Sequence, residues 1–206
     1  MEDRLNPGET ISARGHLFLP IPCLDPTTGE PVSDRSCDYT STTRYWGACT
    51  DCHGDPTAVA DLFASHRGNV ATLADLIWVD TDGDEVLFEA DTATGAFIAF
   101  DPGDTGFLTQ IPSPEIQFNS GDDSISVAEG ALFNMQLIAE GRDDHGDGSK
   151  GVHNPRLSVD LLGASLTSLQ DVYGLSAPLS PEARAILDDV NRRLLRSRAP
   201  HTISSR

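Results

Sequence analysis

The sequence predicts a mainly α-helical, loop-rich chain that carries one small antiparallel β meander. Three observations lead there. The C-terminal third holds three apolar segments, each opened by a recognisable N-terminal capping signal. The middle holds short β-branched and aromatic runs separated by Asp-Gly and Thr-Gly. The composition, 38% apolar with 18 glycines and 13 prolines among 206 residues, leaves much of the chain for turns.

Taken in order, residues 1–44 read as an irregular N-terminal segment, with "PCLDPTTGEPVSDRSC" bounded by Cys23 and Cys37. Asp55-Pro56 then gives an N-cap followed by proline at the first helical position, predicting a short helix through "TAVADLFASH" that stops at Gly68. Three strands are expected near 76–81, 84–90 and 96–100, the first two joined by a hairpin at Asp82-Gly83. Ser126 and Glu129 form a capping box ahead of "VAEGALFNMQLIAEG". Asn154-Pro155 opens a helix through "RLSVDLLGASLTSLQ", and Ser180-Pro181 opens the last one. On that helix Ala183, Ile186, Leu187, Val190 and Leu194 make one apolar stripe. The organisation expected is 1–44, a domain over 45–175 with its meander near 76–100, and a helix with tail over 176–206.

Charge narrows the function classes. Thirty-two acidic residues face fourteen basic ones, net −18, and Lys150 is the sole lysine. Nucleic-acid binding needs basic neutralisation of phosphates, so no nucleic-acid partner is expected. Basic protein partners are favoured instead. No run reaches the roughly 18 to 20 apolar residues that cross a bilayer, so no membrane span is expected. The opening "MEDRLNPGETISARG" contains no apolar core of a secretory signal.

The densest chemistry lies in "YWGACTDCHGDP", residues 45–56. Cys49-Thr50-Asp51-Cys52-His53 is a Cys-x-x-Cys-His sequence, the attachment pattern of c-type haem. Two thiols two residues apart match the reach between the porphyrin's two vinyl groups. The adjoining histidine then lies beneath the ring as proximal iron ligand. With four cysteines and six histidines, chance gives about one such match in several hundred chains of this composition. Three other readings compete. Cys23, Cys37, Cys49 and Cys52 add up to a Cys₄ zinc set, although the outer spacing is unlike paired-CxxC zinc sites. A thioredoxin-like redox pair calls for a βαβ context that the flanks lack. Cys23 and Cys37 also suit a structural disulfide closing a turn-rich loop.

A six-coordinate iron needs a second axial ligand. His153 stands just ahead of a capped helix, where the junction holds a ring with little freedom. His66 ends the short helix after the motif, and His16 lies beside "LFLPIP"; both are alternative ligands. Met135 sits mid-helix, where methionine is usually core filling. His145 reads as a solvated loop residue and His201 as part of the tail.

The stretch "GALFNMQLIAEGRDDHGDGSKGVHNPRLSVDLLGASLTSL" resembles the C-terminal segment of multihaem c-type cytochromes. Its shared elements are the aromatic-Asn pair Phe133-Asn134, the turn Asp147-Gly148-Ser149-Lys150-Gly151-Val152-His153-Asn154-Pro155, and Leu161-Leu162 in the following helix. The resemblance implies that His153 is a distal haem ligand and that Cys49, Cys52 and His53 are the attachment triad. It covers about a quarter of the chain. Such cytochromes carry several CxxCH motifs and an export signal, whereas this sequence has one motif and no signal, which suggests either the C-terminal part of a longer cytochrome or a chain with a misplaced start.

The expectation is a fold organised around covalent haem c, working in electron transfer with two histidines on the iron. Redox proteins, other haem-bearing cytochromes among them, are the expected partners, in a periplasmic or extracellular setting. Two rivals are kept: a haem enzyme subunit reducing a small nitrogen or sulfur oxyanion, and a zinc-stabilised module without haem. Asp80, Asp82 and Asp84 also suggest calcium, but glycine stands fourth rather than sixth in that loop, and a hairpin turn accounts for it better.

Overall fold

The computed structural model describes residues 21–32, 37–38, 40–47, 49–50, 54–119, 121, 123–139, 154–176 and 179–198. The chain is mainly helical with two small antiparallel two-stranded sheets. It divides into two units, Met1–Arg67 and Gly68–Arg206. The division falls inside a helix, whereas the composition suggested boundaries near 44 and 175.

In the first unit, β1 (Cys23–Leu24) pairs with β2 (Pro31–Val32), placing Cys23 opposite Val32. The turn between them is closed by Asp25, whose carboxylate accepts the N–H groups of Thr27 and Thr28 at 2.7 and 2.9 Å. Those donors hold its carboxyl below the usual range. Residues 1–44, expected to be irregular, therefore contain a small hairpin. Cys23 also bridges Arg44 on its other side, flanked by Leu24 N–H to Thr43 O and Tyr45 N–H to Pro22 O.

Helix α1 (Pro56–Ile77) starts where the sequence places it. Asp55 caps it by accepting from Thr57 and Ala58 at 2.9 and 3.1 Å. It does not stop at Gly68. One interior glycine costs about 1 kcal/mol of helix propensity, and Val70, Leu73, Ala74 and Ile77 beyond it are buried at helical spacing. Burying three such aliphatic side chains is worth several times that cost. The same packing removes the strand expected at 76–81: Leu76 and Ile77 end the helix, and Val79 makes a single bridge to Thr105.

Asp82-Gly83 is not a hairpin turn either. Residues 80–86 form a loop in which aspartates accept their neighbours' N–H groups, and Glu85 takes φ +66°. That left-handed residue breaks the extended run expected from 84. The hairpin forms one run later. β3 (Phe88–Ala90) pairs with β4 (Phe97–Phe100), closed by Asp91, whose carboxylate accepts from Ala93 and Thr94. Phe88, Phe97, Phe100 and Phe118 stack edge-on or tilted, with centroids 4.8 to 6.2 Å apart. They carry the hairpin onto the short helix α2 (Pro114–Gln117).

Helix α3 (Val127–Ala139) opens with the expected capping box: Ser126 Oγ accepts from Glu129 N–H at 3.1 Å, and Glu129 accepts from Ser126 N–H at 2.8 Å. Helix α4 (Pro155–Tyr173) is capped by Asn154 and ends at Gly174 in the left-handed region. It runs antiparallel to α3, joined by Ala128 N–H to Tyr173 Oη at one end and Asn134 to Ser165 further along. Helix α5 (Pro181–Arg198) lays Ala183, Leu187 and Val190 into the core, with Ile186 and Leu194 partly buried beside them. Gly163 on α4 allows the approach of α5, because a methyl group there would lie 2.8 Å from Val190 Cγ1.

Gly163→Ala should therefore destabilise the chain by about 1–3 kcal/mol through overpacking. Urea denaturation followed by circular dichroism measures this; a midpoint equal to wild type would show that α4 and α5 do not pack this closely.

Candidate functional site

Cys49 of the CTDCH sequence follows Trp46 and the Arg44 backbone that bridges back to the small hairpin. Trp46 is buried, and its indole N–H donates to Thr40 O at 2.9 Å. Its ring meets Phe63 of α1 edge-on at 5.4 Å, and Val59 and Ala60 complete a small cluster. Cys49 packs against that cluster as a half-buried free thiol. The backbone after Trp46 turns helically: Cys49 and Thr50 N–H both reach Trp46 O, and Gly54 N–H reaches Thr50 O. Burial pushes the Cys49 thiol pKa up, keeping it protonated. Cys52 and His53 lie outside the described residues.

Cys23 and Cys37 are bonded to each other, S–S 2.10 Å with Cα atoms 5.9 Å apart. Oxidised sulfurs supply no thiolate, so a Cys₄ zinc set is not assembled from these residues. Beside the disulfide, Arg44 is buried, and its guanidinium donates to Ile21 O at 2.6 Å and Cys37 O at 2.5 Å. Nothing in the sequence marked this arginine; its position between two cysteine-bearing arms emerges only on folding.

His66 is half-buried on α1, on the helix face that Val59 and Phe63 present to Trp46. His16, His145, His153 and His201 lie outside the described residues. The junction after His153 is described: Asn154 Oδ1 accepts from Leu157 N–H at 3.4 Å, and Pro155 occupies the first helical position. Met135 is buried in the core of the second unit. Of the aromatic-Asn pair, Phe133 is exposed, while Asn134 donates to Ser165 Oγ at 3.1 Å.

A second group of polar residues lies in the 80–86 loop, where one carboxylate oxygen from each of Asp80, Asp82 and Asp84 falls within 4.8 Å of the others. Oxygen-only donors suit a hard divalent cation. The same carboxylates already accept the N–H groups of Gly83, Glu85, Asp84 and Val86, which fixes their positions without an ion. Asp104 braces the loop, accepting from Trp78 Nε1 at 2.6 Å and from Thr81 N–H at 3.0 Å. Desolvation, then the charges of Asp84, Asp82, Asp104 and Glu89, raises the Asp101 carboxyl pKa. The sequence marked the three aspartates by their alternate spacing, but not Asp101 or Asp104, which approach them from the far side of the β3–β4 hairpin.

No protein-family model, curated protein or solved structure matches the chain.

Thiol labelling of the unfolded, unreduced chain made without attached haem should tag Cys49 and Cys52 and leave Cys23 and Cys37 untouched. Opening that loop of about 15 residues should lower stability by about 3 kcal/mol in the chain-entropy model. Labelling at all four positions would break the pairing.

Proposed function

We propose that this chain is an electron-transfer protein bearing one covalent haem c, held by thioethers at Cys49 and Cys52, with His53 and His153 as axial ligands. The observation that carries the reading is the state of the cysteines. With Cys23 and Cys37 consumed in a disulfide, Cys49 is a free thiol inside a Cys-x-x-Cys-His sequence, on a helical turn braced by Trp46. Residues of this kind fit the group: two thiols at attachment spacing and an adjoining imidazole. When bound, the haem iron supplies one-electron exchange between its ferric and ferrous states.

The chain's own residues support that work in three ways. Trp46, Val59, Ala60 and Phe63 provide an apolar wall on one side of Cys49. The cap at Asn154-Pro155 limits the backbone beside His153, so its imidazole is presented at low entropic cost. The −18 charge favours the ferric over the ferrous state and steers basic redox partners toward the surface. Among the described residues no helix is long and apolar enough to cross a membrane. The disulfide suits an oxidising compartment, periplasmic or extracellular. The resemblance to multihaem cytochromes supports a place within a larger haem-bearing assembly, where His16 or His66 would serve neighbouring haems.

Expression behind an export signal with a cytochrome maturation system tests the reading. The mature chain should gain the mass of one haem and show sharp low-spin bands; high-spin bands would favour an open iron site and a reductase of small oxyanions. Cys49→Ala or Cys52→Ala should abolish stable covalent attachment, seen as loss of haem stain on a denaturing gel. A normal haem band from the double variant would refute the assignment.

His153→Ala should turn the low-spin spectrum high-spin and open the iron to carbon monoxide, while His145→Ala leaves the spectrum unchanged. If His66→Ala or His16→Ala produces the conversion instead, the distal ligand is that residue, and His153 serves another haem.

A further inference from the structure

The disulfide and the CTDCH turn are mechanically joined. Cys23 lies between Val32 and Arg44, so its arm belongs to the small hairpin. Cys37 anchors the second arm, and the Arg44 guanidinium spans both through Ile21 O and Cys37 O. Two residues on, Trp46 donates to Thr40 O on that second arm, and the turn bearing Cys49 starts on the Trp46 carbonyl. The route from sulfur to sulfur to thiol thus runs through Arg44 and Trp46 without an unbonded gap.

We propose that the Cys23–Cys37 disulfide is a latch that closes before the CTDCH turn takes its haem; the proposal rests on the haem reading above. In closing, one cysteine thiolate attacks the disulfide of a thiol oxidant, and the second cysteine then attacks the mixed disulfide and displaces the oxidant's thiolate. The chain gains an S–S bond, and the oxidant leaves as a dithiol carrying the two electrons and two protons. Attachment follows and exchanges no electrons: each remaining thiol adds its sulfur to one vinyl carbon and its proton to the other. The order matters because, among four free cysteines, any disulfide other than Cys23–Cys37 takes Cys49 or Cys52 and removes an attachment thiol. Closing the latch retires Cys23 and Cys37 and packs Cys49 against Trp46.

The two sulfurs are not equivalent. Cys23 is buried, whereas Cys37 is only half-buried, and the Cys37 N–H points at Cys23 Sγ from 3.3 Å. An external dithiol therefore attacks Cys37 and expels Cys23 as a thiolate steadied by that N–H. The reductant's second thiol then releases Cys37 and departs as a disulfide.

Two measurements on the full chain test this. In haem-free protein carrying Cys52→Ser, Cys49 is the remaining free thiol, and its alkylation by iodoacetamide is followed by peptide mass. Opening the latch with a mild dithiol should speed that alkylation at least tenfold, with the helical circular dichroism of the second unit retained. Arg44→Met, with the disulfide intact, should speed it at least threefold. Rates within twofold of each other, with the disulfide shown open by mass, would overturn the latch. Under haem maturation, Cys23→Ser/Cys37→Ser should lose at least fivefold in covalent haem yield, and a wild-type yield would overturn the order of events. If that variant does not accumulate, the alkylation ratio in the chain with native Cys23 and Cys37 decides. A wild-type chain that takes no haem, yet shows the alkylation ratio, would sink the haem reading and with it the order of events, leaving only the coupling of the disulfide to Cys49.

Discussion

Burial of Trp46 is the contact on which the first unit depends. Among its described residues the buried cluster consists of Trp46, Val59 and Ala60, with Ile21, Cys49 and Phe63 partly buried around them. A small core of this kind needs cross-links that do not rely on apolar area. The disulfide supplies one. The Arg44 guanidinium supplies another, at the cost of desolvating a charge, a cost offset by hydrogen bonds to two main-chain carbonyls. Both converge on Arg44 and Trp46, just ahead of Cys49, so the turn at Cys49 and Thr50 starts from a polar framework.

The second unit is built differently. Its helices are stitched by apolar contacts, with polar links at their ends and crossings. Tyr173 Oη donates to Gln117 Oε1 at 2.6 Å and accepts from Ala128 N–H, so the end of α4 fixes the end of α2 and the start of α3. Arg193 of α5 pairs with Asp160 of α4 at 2.5 Å in a partly shielded position, where a charge-assisted bond outweighs an exposed one. Gly163 supplies the close approach that these links then hold.

Acidic residues do two kinds of work. Asp25, Asp55, Asp80 and Asp91 each accept neighbouring N–H groups and so close turns or cap helices. The 32 acidic residues together also set the net charge at −18. In a chain with one lysine, turn closure and surface charge draw on the same residue type.

Local chemistry was legible in the sequence wherever a short range of residues decides the outcome. The capping box at Ser126 and Glu129, the caps at Asp55, Asn154 and Ser180, and the stripe of α5 all depend on neighbours within a turn or two. The Cys-x-x-Cys-His pattern is likewise local, which is why it could be read at all. Tertiary structure decided the rest. Gly68 signals a helix stop, but Val70, Leu73 and Ile77 find a core that only the folded chain contains, and the helix continues through it. Asp82-Gly83 signals a hairpin, but the strand meant to precede it had already been taken into α1, so the pairing passed to Phe88 and Phe97. Arg44, Asp101 and Asp104 carried no mark in the sequence, because what distinguishes them is a set of partners far along the chain. Propensity and capping act over a few residues, whereas burial depends on every segment that closes over a side chain, and where the two disagreed burial was the larger energy.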